Sequence, residues 1–310
     1  MYYPYLRGRQ FELIALREYA QQKGDNNQII PIIEPVKKTF NSFKLAIPKL
    51  IADEVKFALI LNPQVGEIED YASITESLHE ELVNRDNWIP AFIVTNNVNE
   101  VSETIQRNNY QNVMLICSDM IDTSSELFDT LAKSEQVTHI VSNNRRLKRD
   151  LRGHNKIFIR FDDKFEAQSR NSDYLEIPEQ KFTEEHLFYD EDGYQGFADF
   201  TVLTSDFKEG GSTPYAVSIH LTYQKENEEI WIRHFTSESN LGRENIQGKF
   251  AEAARKAVRF LDSENIENHA ANELREYYNQ KKYPGLGMVK KISIKNHLEL
   301  INSILKSNHI

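Results

Sequence analysis

Short apolar runs alternate with segments of helical periodicity through the first half of the chain. The runs are nearly continuous rather than alternating, which is typical of strands buried on both faces of a parallel sheet. Strands are predicted at residues 28–34, 57–62, 88–95, 112–119, 138–143 and 156–162. Helices are predicted at residues 8–23, 42–55, 70–83, 98–108 and 124–134. The strands begin about 20–30 residues apart, which is the length of a β/α unit.

Six such units in a row predict either a (β/α)₈-like barrel or an open, doubly wound sheet. Neither G-x-G-x-x-G nor G-x-x-x-x-G-K-[ST] occurs in the sequence, and this weakens the nucleotide-binding open sheet. We therefore predict an α/β fold, a (β/α)-barrel-like (TIM-like) single domain over residues 1–310. The C-terminal part of that barrel is expected to be modified by a β-hairpin and helices.

The second half of the chain changes character. Residues 164–195 are polar, contain Pro178 and carry an acidic run at 189–193, so we predict a long polar insertion loop. The elements expected after it are a strand at 197–203, a hairpin of 215–223 with 229–236, and C-terminal helices within 245–310, at 245–261, 270–280 and 295–306.

The composition is acidic, with 37 Lys and Arg against 47 Asp and Glu and a net charge of −10. That balance argues against a general nucleic-acid ligand or an anionic membrane surface, both of which favour basic proteins. No apolar stretch approaches the ~18–20 residues of a membrane span, and the first residues lack the pattern of a signal peptide. Cys117 is the single cysteine, which excludes an internal disulfide and a thiolate zinc site. We expect a soluble, cytoplasmic protein, and the sequence identifies no cofactor.

Polar residues follow nearly every predicted strand at its carboxyl end. These residues are Glu34, Asn62, Thr95, Asn96, Ser118, Asp119, Ser142, Asn143, Asp162 and Asp163. In barrels this rim carries the functional sites, because loops from different strands converge there. The alternative is structural, since Asn and Asp commonly cap helices and make turns where strands end. We predict a polar rim that binds a ligand, with Asn62, Asp119 and Asp162 among its binding residues.

Glu34 lies between apolar residues and Pro35, so its charge needs a partner or a ligand. It is either a catalytic group or one side of a structural salt bridge, for instance with Arg7, Arg9 or Arg160. Arg7 and Arg9 immediately precede the first predicted helix, where guanidinium groups and unpaired backbone N–H groups suit an anion. Arg7 and Arg9 are therefore predicted to bind an anionic ligand.

The predicted hairpin carries two histidines. Strict alternation places His220 on one face of its strand, and His234 lies in the neighbouring strand. With Asp199 close by, the two imidazoles would form an acid–base group with a pKa near neutrality. The alternative is a pair of structural histidines. Asp199, His220, His234 and Glu34 are the predicted catalytic residues.

Four aspartates suggest a metal site as a further possibility. Asp119, Asp162, Asp163 and Asp199 would supply the oxygen ligands that Mg²⁺ or another hard cation prefers. Their spacing matches no diagnostic metal motif, so the identity of any metal stays open.

Residues 3–16, YPYLRGRQFELIAL, followed by PIIEP at 31–35, resemble the opening of the phage beta-protein-like family ("Beta family protein") and its uncharacterised bacterial relatives. The similarity continues in GFADFT at 196–201, IHLTY at 219–223 and IRHF at 232–235. The tail at 287–300 is similar too, with Asn296 standing where the family has a second histidine. The resemblance therefore extends over most of the chain.

The resemblance implies no particular reaction. It does imply an accessory gene of bacteria and phages, often encoded beside a companion gene, with a role in phage–host conflict. We therefore expect an accessory protein of a phage-defence or mobile-element system, acting with a protein partner encoded nearby. One alternative is a non-catalytic scaffold that contacts its companion through residues 145–149 and 189–193. The other is a metal-dependent hydrolase of nucleotides or nucleic acid.

Overall fold

The computed structural model of the protein describes residues 1–118, 121–210 and 213–307. The strands are β1 (Tyr5–Leu6), β2 (Ile32–Ile33), β3 (Phe57–Ile60), β4 (Trp88–Val94), β5 (Val113–Cys117), β6 (Val137–Val141), β7 (Ile157–Phe161), β8 (Glu179–Thr183), β9 (Gly196–Ala198), β10 (Ser218–Gln224) and β11 (Ile230–Thr236). The α-helices are α1 (Gln10–Gln22), α2 (Asn41–Ala52), α3 (Tyr71–Ser77), α4 (Val98–Arg107), α5 (Glu126–Lys133), α6 (Arg145–Asp150), α7 (Glu185–Phe188), α8 (Ile246–Ser263), α9 (His269–Asn279) and α10 (Leu286–Ser307).

The described chain forms two compact units. The first, which we call the barrel unit, comprises Met1–Arg9, Gln28–Asp163 and Glu185–Asp199. The second unit comprises Gln10–Asn27, Lys164–Glu184 and the described residues from Phe200 onward. Each unit is described separately below.

The barrel unit is built on eight parallel strands in the order β1-β2-β3-β4-β5-β6-β7-β9. The first and last strands also meet. Tyr2 forms a parallel bridge with Phe197, the Tyr3 amide donates to the Phe197 carbonyl at 2.8 Å, and the Tyr5 amide donates to the Asp199 carbonyl at 2.8 Å. An open doubly wound sheet is therefore wrong, and the predicted TIM-like barrel is confirmed.

The apolar runs explain the strands of the barrel. Every residue of β3 and β5 is buried, as expected for parallel strands covered on both faces. The first predicted strand, at 28–34, is reduced in the structure to Ile32–Ile33. Pro31 has no amide hydrogen to donate, although its carbonyl still accepts from the Ala58 amide at 2.8 Å.

The second unit contains a three-stranded antiparallel sheet in the order β10-β11-β8. The predicted hairpin is present as β10 and β11, which pair from Ser218 opposite Thr236 to Gln224 opposite Ile230. Ile219, Leu221 and Tyr223 alternate with the polar residues of β10 and belong to one apolar core with α8, α9 and α10.

Residues 164–195 do not form the predicted insertion loop. They contain a 3₁₀ turn at Asn171–Leu175, the edge strand β8 and the short helix α7. The first three residues of β8 are partly or fully exposed, so the strand carries no continuous apolar run. Its polarity is the reason that the pattern suggested a loop.

The last helix begins earlier than its periodicity indicated. We predicted a helix at 295–306, whereas α10 spans Leu286–Ser307. Gly287 lies in the first turn of this helix, and the Phe11 ring packs against it. A β-carbon at Gly287 would lie 2.0 Å from a ring carbon of Phe11. The absence of a side chain at Gly287 therefore makes room for the Phe11 ring, and this glycine does not end a helix.

Candidate functional site

A glycine turn positions the two arginines of the barrel unit. Gly8, between Arg7 and Arg9, has a φ of 59°, in the left-handed region that favours glycine. A β-carbon there would lie 2.4 Å from the Phe43 ring and 3.2 Å from the Glu34 carbonyl. The chain can therefore leave β1 close to the end of β2, where the Glu34 amide donates to the Leu6 carbonyl at 2.8 Å.

Glu34 is the centre of a buried polar cluster at the carboxyl ends of β1 and β2. Its Oε2 accepts from the Tyr5 hydroxyl at 2.7 Å and lies 3.0 Å from Arg7 Nε. Its Oε1 accepts from the Gln64 amide at 2.8 Å. The Glu34 side chain is 2 % exposed and that of Arg7 12 %. Of the salt-bridge partners that the sequence left open, the structure selects Arg7.

This cluster holds the Arg7 guanidinium in place rather than preparing Glu34 for proton transfer. Burial, together with the neighbouring Glu34 carboxylate, raises the pKa of Tyr5 well above its usual value. The phenol therefore stays protonated and keeps donating to the carboxylate. Arg7 is left partly exposed at the barrel rim, with its Nε side fixed by Glu34.

Asn62 joins two strands of the barrel. Its side-chain amide donates to the Ile93 carbonyl at 2.8 Å, and its side-chain oxygen accepts from the Ile93 amide at 2.8 Å. The residue also lines a cavity of about 230 Å³ whose charged lining residues are Glu69, Asp70 and Glu100. An acidic lining repels anions, so this cavity does not suit the anionic ligand for which Asn62 was predicted.

Asp162 lies beside a partly buried arginine. Arg160 Nε lies 2.8 Å from Asp162 and 3.1 Å from Glu185, and its terminal Nη1 lies 2.9 Å from Asp192. The Asp162 carboxylate is therefore engaged in an ion pair within the barrel unit.

The remaining predicted site residues of the barrel unit differ in their surroundings. Asp199 is 2 % exposed, and its Oδ1 accepts from the Tyr2 hydroxyl at 2.6 Å. Burial and the Asp199 charge raise the pKa of Tyr2 well above its usual value. Arg9 is partly exposed. Asp119 lies outside the described residues.

The two histidines of the second unit form a direct pair. His220 and His234 are opposite each other in the β10–β11 register, and their Nδ1 atoms lie 2.7 Å apart. Tyr174 covers both rings, with centroids 4.8 and 4.4 Å away, and Phe165 lies 5.3 and 6.3 Å from them. Within the described residues, His234 Nε2 is buried without a hydrogen-bond partner.

Burial among these rings lowers the pKa of both imidazoles, and the nearby His234 charge adds to the effect on His220. A hydrogen bond between two Nδ1 atoms requires one imidazole to donate and the other to accept, so the neutral pair carries opposite tautomers. A pair that stays neutral at pH 7 is a poor source of protons there. The expected pKa near neutrality is therefore not what this environment produces.

A further buried histidine of the second unit escaped the sequence analysis. His297 of α10 is fully buried, and its Nδ1 lies 3.0 Å from the Thr222 hydroxyl. Its neighbour Asn296 donates to the Thr222 carbonyl at 2.9 Å and accepts from Asn268 at 3.0 Å. Asn296 thus has a structural role within the second unit. Helical spacing placed these residues in the last helix, but no local signal showed that α10 carries them to β10.

The basic run at 145–149 and the acidic run at 189–193 are in contact with each other. The ammonium of Lys148, in α6, donates to the Asp192 carbonyl and lies 4.0 Å above the ring of Tyr194. These surfaces, proposed as contacts for a companion protein, are therefore partly occupied within the barrel unit.

No group of three or more His, Cys, Asp or Glu side chains able to hold a metal ion is found among residues 1–118, 121–210 and 213–307. In the same residues, no helix has the length and apolar character to cross a membrane. No model of a known protein family matches the sequence, and no curated protein matches it. The site therefore has to be interpreted from its own geometry.

Proposed function

We propose that this protein is the ligand-binding component of a phage-defence or mobile-element accessory system, acting with a protein partner. Its ligand is anionic and binds at Arg7 and Arg9 on the barrel rim. The observation that carries this proposal is the Arg7 guanidinium, held on one side by Glu34 and still partly exposed. A pre-oriented guanidinium is suited to phosphate or carboxylate, because its planar donors match two oxygens at once.

The distribution of the family-like segments supports the same rim. Residues 3–16, 31–35 and 196–201 contain β1, β2 and β9, which are neighbours in the barrel. Their polar side chains, Tyr5, Arg7, Glu34 and Asp199, come at or near the carboxyl ends of these strands. Barrel sites are built from the loops that follow such ends.

Binding fits these residues better than catalysis does. Glu34 is engaged by Tyr5, Arg7 and the Gln64 amide, and Asp199 by Tyr2. The Nδ1 atoms of His220 and His234 are engaged by each other, and the remaining ring nitrogen of His234, Nε2, is buried. Hydrogen-bonded groups of this kind hold a structure in place, whereas a general base needs an available lone pair within reach of substrate.

We expect inorganic phosphate to bind the full chain through Arg9 and Arg7. Arg9→Gln removes one charge, and Arg7→Lys keeps the charge beside Glu34 but loses the planar fork. Each should weaken phosphate binding about tenfold, the size of one lost charged hydrogen bond. Isothermal titration calorimetry gives the affinities.

The matched control is Arg107→Gln, which removes an arginine that is 66 % exposed on α4 of the same unit. Its phosphate affinity should equal that of the wild type. Arg9→Gln and Arg7→Lys proteins that are folded and bind phosphate as tightly as Arg107→Gln would refute the rim site.

In cells, we expect the rim to be needed for protection. Bacteria carrying this gene with its native neighbour should lower phage plating efficiency, and Arg9→Gln should lose that protection at matched protein level. Co-purification of the neighbour with both forms would show that the partner interface is intact. Equal protection by wild type and Arg9→Gln would instead favour the scaffold, in which the companion protein carries the activity.

A further inference from the structure

The second unit contains a cavity that the rim proposal does not use. Its volume is about 710 Å³, and it lies between the first half of α8 and the end of α9 with the turn that follows. Small-molecule sites commonly enclose about 300–1,000 Å³. The side chains that give it chemical character are Phe250, Tyr277, Tyr278, Tyr283, Arg255 and Lys281.

One wall of the cavity is aromatic and fixed. Phe250 is 3 % exposed and belongs to the apolar core of the unit, and the Tyr283 ring lies 5.4 Å from it. Tyr277 and Tyr278 are partly buried and pack against the same core. Rings held in this way present flat faces at little entropic cost, and a planar heterocycle stacks on them favourably.

The other part of the lining is cationic. Arg255, Lys281 and Lys282 all line the cavity, and none has a carboxylate within ion-pair distance among the described residues. Glu252 is the one acidic residue of the lining, and its carboxylate accepts from the Ser239 hydroxyl and from the amides of Glu238 and Ser239. In a chain with a net charge of −10, a cavity lined by three cations and one carboxylate is a local anion-attracting region.

The start of α8 adds to this field. Asn245, Gln247 and Gly248 also line the cavity. Asn245 caps the Gly248 amide, and the first turn of the helix contains no acidic residue. The positive end of the 18-residue helix is thus left without a neutralising side chain of its own.

We propose that this cavity binds a nucleotide, with the base stacked on the tyrosine wall and the phosphates beside Arg255, Lys281 and Lys282. The pairing of aromatic faces with cations in one cavity is the chemistry that recognises a base joined to phosphate. This site is independent of the rim, because it is built entirely from residues of the second unit.

The test uses the full chain with two probes, ADP and adenosine, in isothermal titration calorimetry. Wild type should bind ADP more tightly than adenosine. Arg255→Gln and the double variant Lys281→Gln/Lys282→Gln should each weaken ADP binding about tenfold while leaving adenosine binding unchanged. Tyr278→Leu, which keeps an apolar side chain, should weaken both probes.

Arg259→Gln is the matched control. Arg259 is exposed one turn further along α8, does not line this cavity and carries the same charge, so its removal should leave ADP binding unchanged.

The proposal is overturned if ADP fails to bind wild type, if Arg259→Gln weakens ADP binding as much as Arg255→Gln does, or if Tyr278→Leu leaves the binding of both probes unchanged. It is also overturned if Arg7→Lys abolishes ADP binding while Arg255→Gln does not, since that result places the nucleotide at the rim. A single-stranded oligonucleotide that binds more tightly than ADP through the same residues would replace the nucleotide with nucleic acid.

Discussion

Arg7→Met should lower the free energy of unfolding of the barrel unit by about 3–5 kcal/mol, the usual cost of removing one partner from a buried ion pair. Glu34 is 2 % exposed, and Arg7 Nε lies 3.0 Å from its Oε2. After the substitution, the carboxylate keeps the Tyr5 hydroxyl and the Gln64 amide but loses its cation. The charge then stays buried without compensation, or the group takes up a proton. Urea-induced unfolding followed by circular dichroism measures the change.

A double variant separates the charge effect from lost packing. Arg7→Met/Glu34→Gln removes both charges but keeps one acceptor oxygen where Tyr5 and the Gln64 amide now use two, so it should recover part of the lost stability. The comparison pair is Lys133 with Asp129 on α5, where the two side chains are 36 % and 44 % exposed. Lys133→Met should cost only about 0.5 kcal/mol. Equal costs for Arg7→Met and Lys133→Met would mean that Glu34 is solvated.

The barrel could be predicted from the sequence because most of its strands have a clear local sequence pattern. A run such as FALI in β3 is apolar throughout, since both faces of the strand are covered. The strands that escaped prediction lack this signal. β1 is two residues long within a Tyr-Pro-Tyr segment, and β8 is a polar edge strand whose role appears only once β11 pairs with it.

The sequence allowed us to predict which residues belong to the candidate site. It did not allow us to predict most of the contacts that these residues make. Alternation placed His220 on one face of β10, and the short hairpin connection brought His234 opposite it. The partners of Glu34, in contrast, are distant from it in the sequence. Tyr5 is 29 residues away in the chain, and the Gln64 amide is 30 residues away. No local pattern encodes contacts that arise only when neighbouring barrel strands align.

Glu34 and the pair of His220 and His234 are two buried polar clusters, and they differ in how a buried charge is treated. At Glu34 a buried charge is kept and compensated by a cation and two hydrogen-bond donors. At His220 and His234 the charge is avoided, because two neutral imidazoles share one hydrogen bond beneath Tyr174. The second arrangement opposes protonation, because burial lowers the pKa of both imidazoles. Acid is therefore expected to destabilise the protein through its buried histidines.

Stability should fall steeply as the pH drops from about 6.5 towards 4, because buried histidines are protonated only after unfolding. Burial lowers the pKa of His139 in β6 to about 4 and that of His297 in α10 to about 3. An unfolded histidine titrates near 6.5, so between these values the unfolded chain binds protons that the folded chain does not. Each such histidine lowers the free energy of unfolding by about 1.4 kcal/mol per pH unit, and His139 with His297 by about 3. The pair of His220 and His234 acts in the same direction.

Urea unfolding at about pH 7, 6 and 5 measures this slope for wild type and for single variants. His297→Gln and His139→Gln should each make the slope shallower by about one proton, whatever either substitution does to stability at neutral pH. His154→Gln, which replaces an exposed histidine, should leave the slope unchanged. This pH window lies above the usual titration range of carboxylates, and the amino terminus, whose pKa burial lowers to about 6, acts in the same direction as the histidines in its upper part. Unchanged slopes in both buried variants would mean that these imidazoles accept protons inside the folded protein. Such a result would contradict the desolvated environments of His139 and His297.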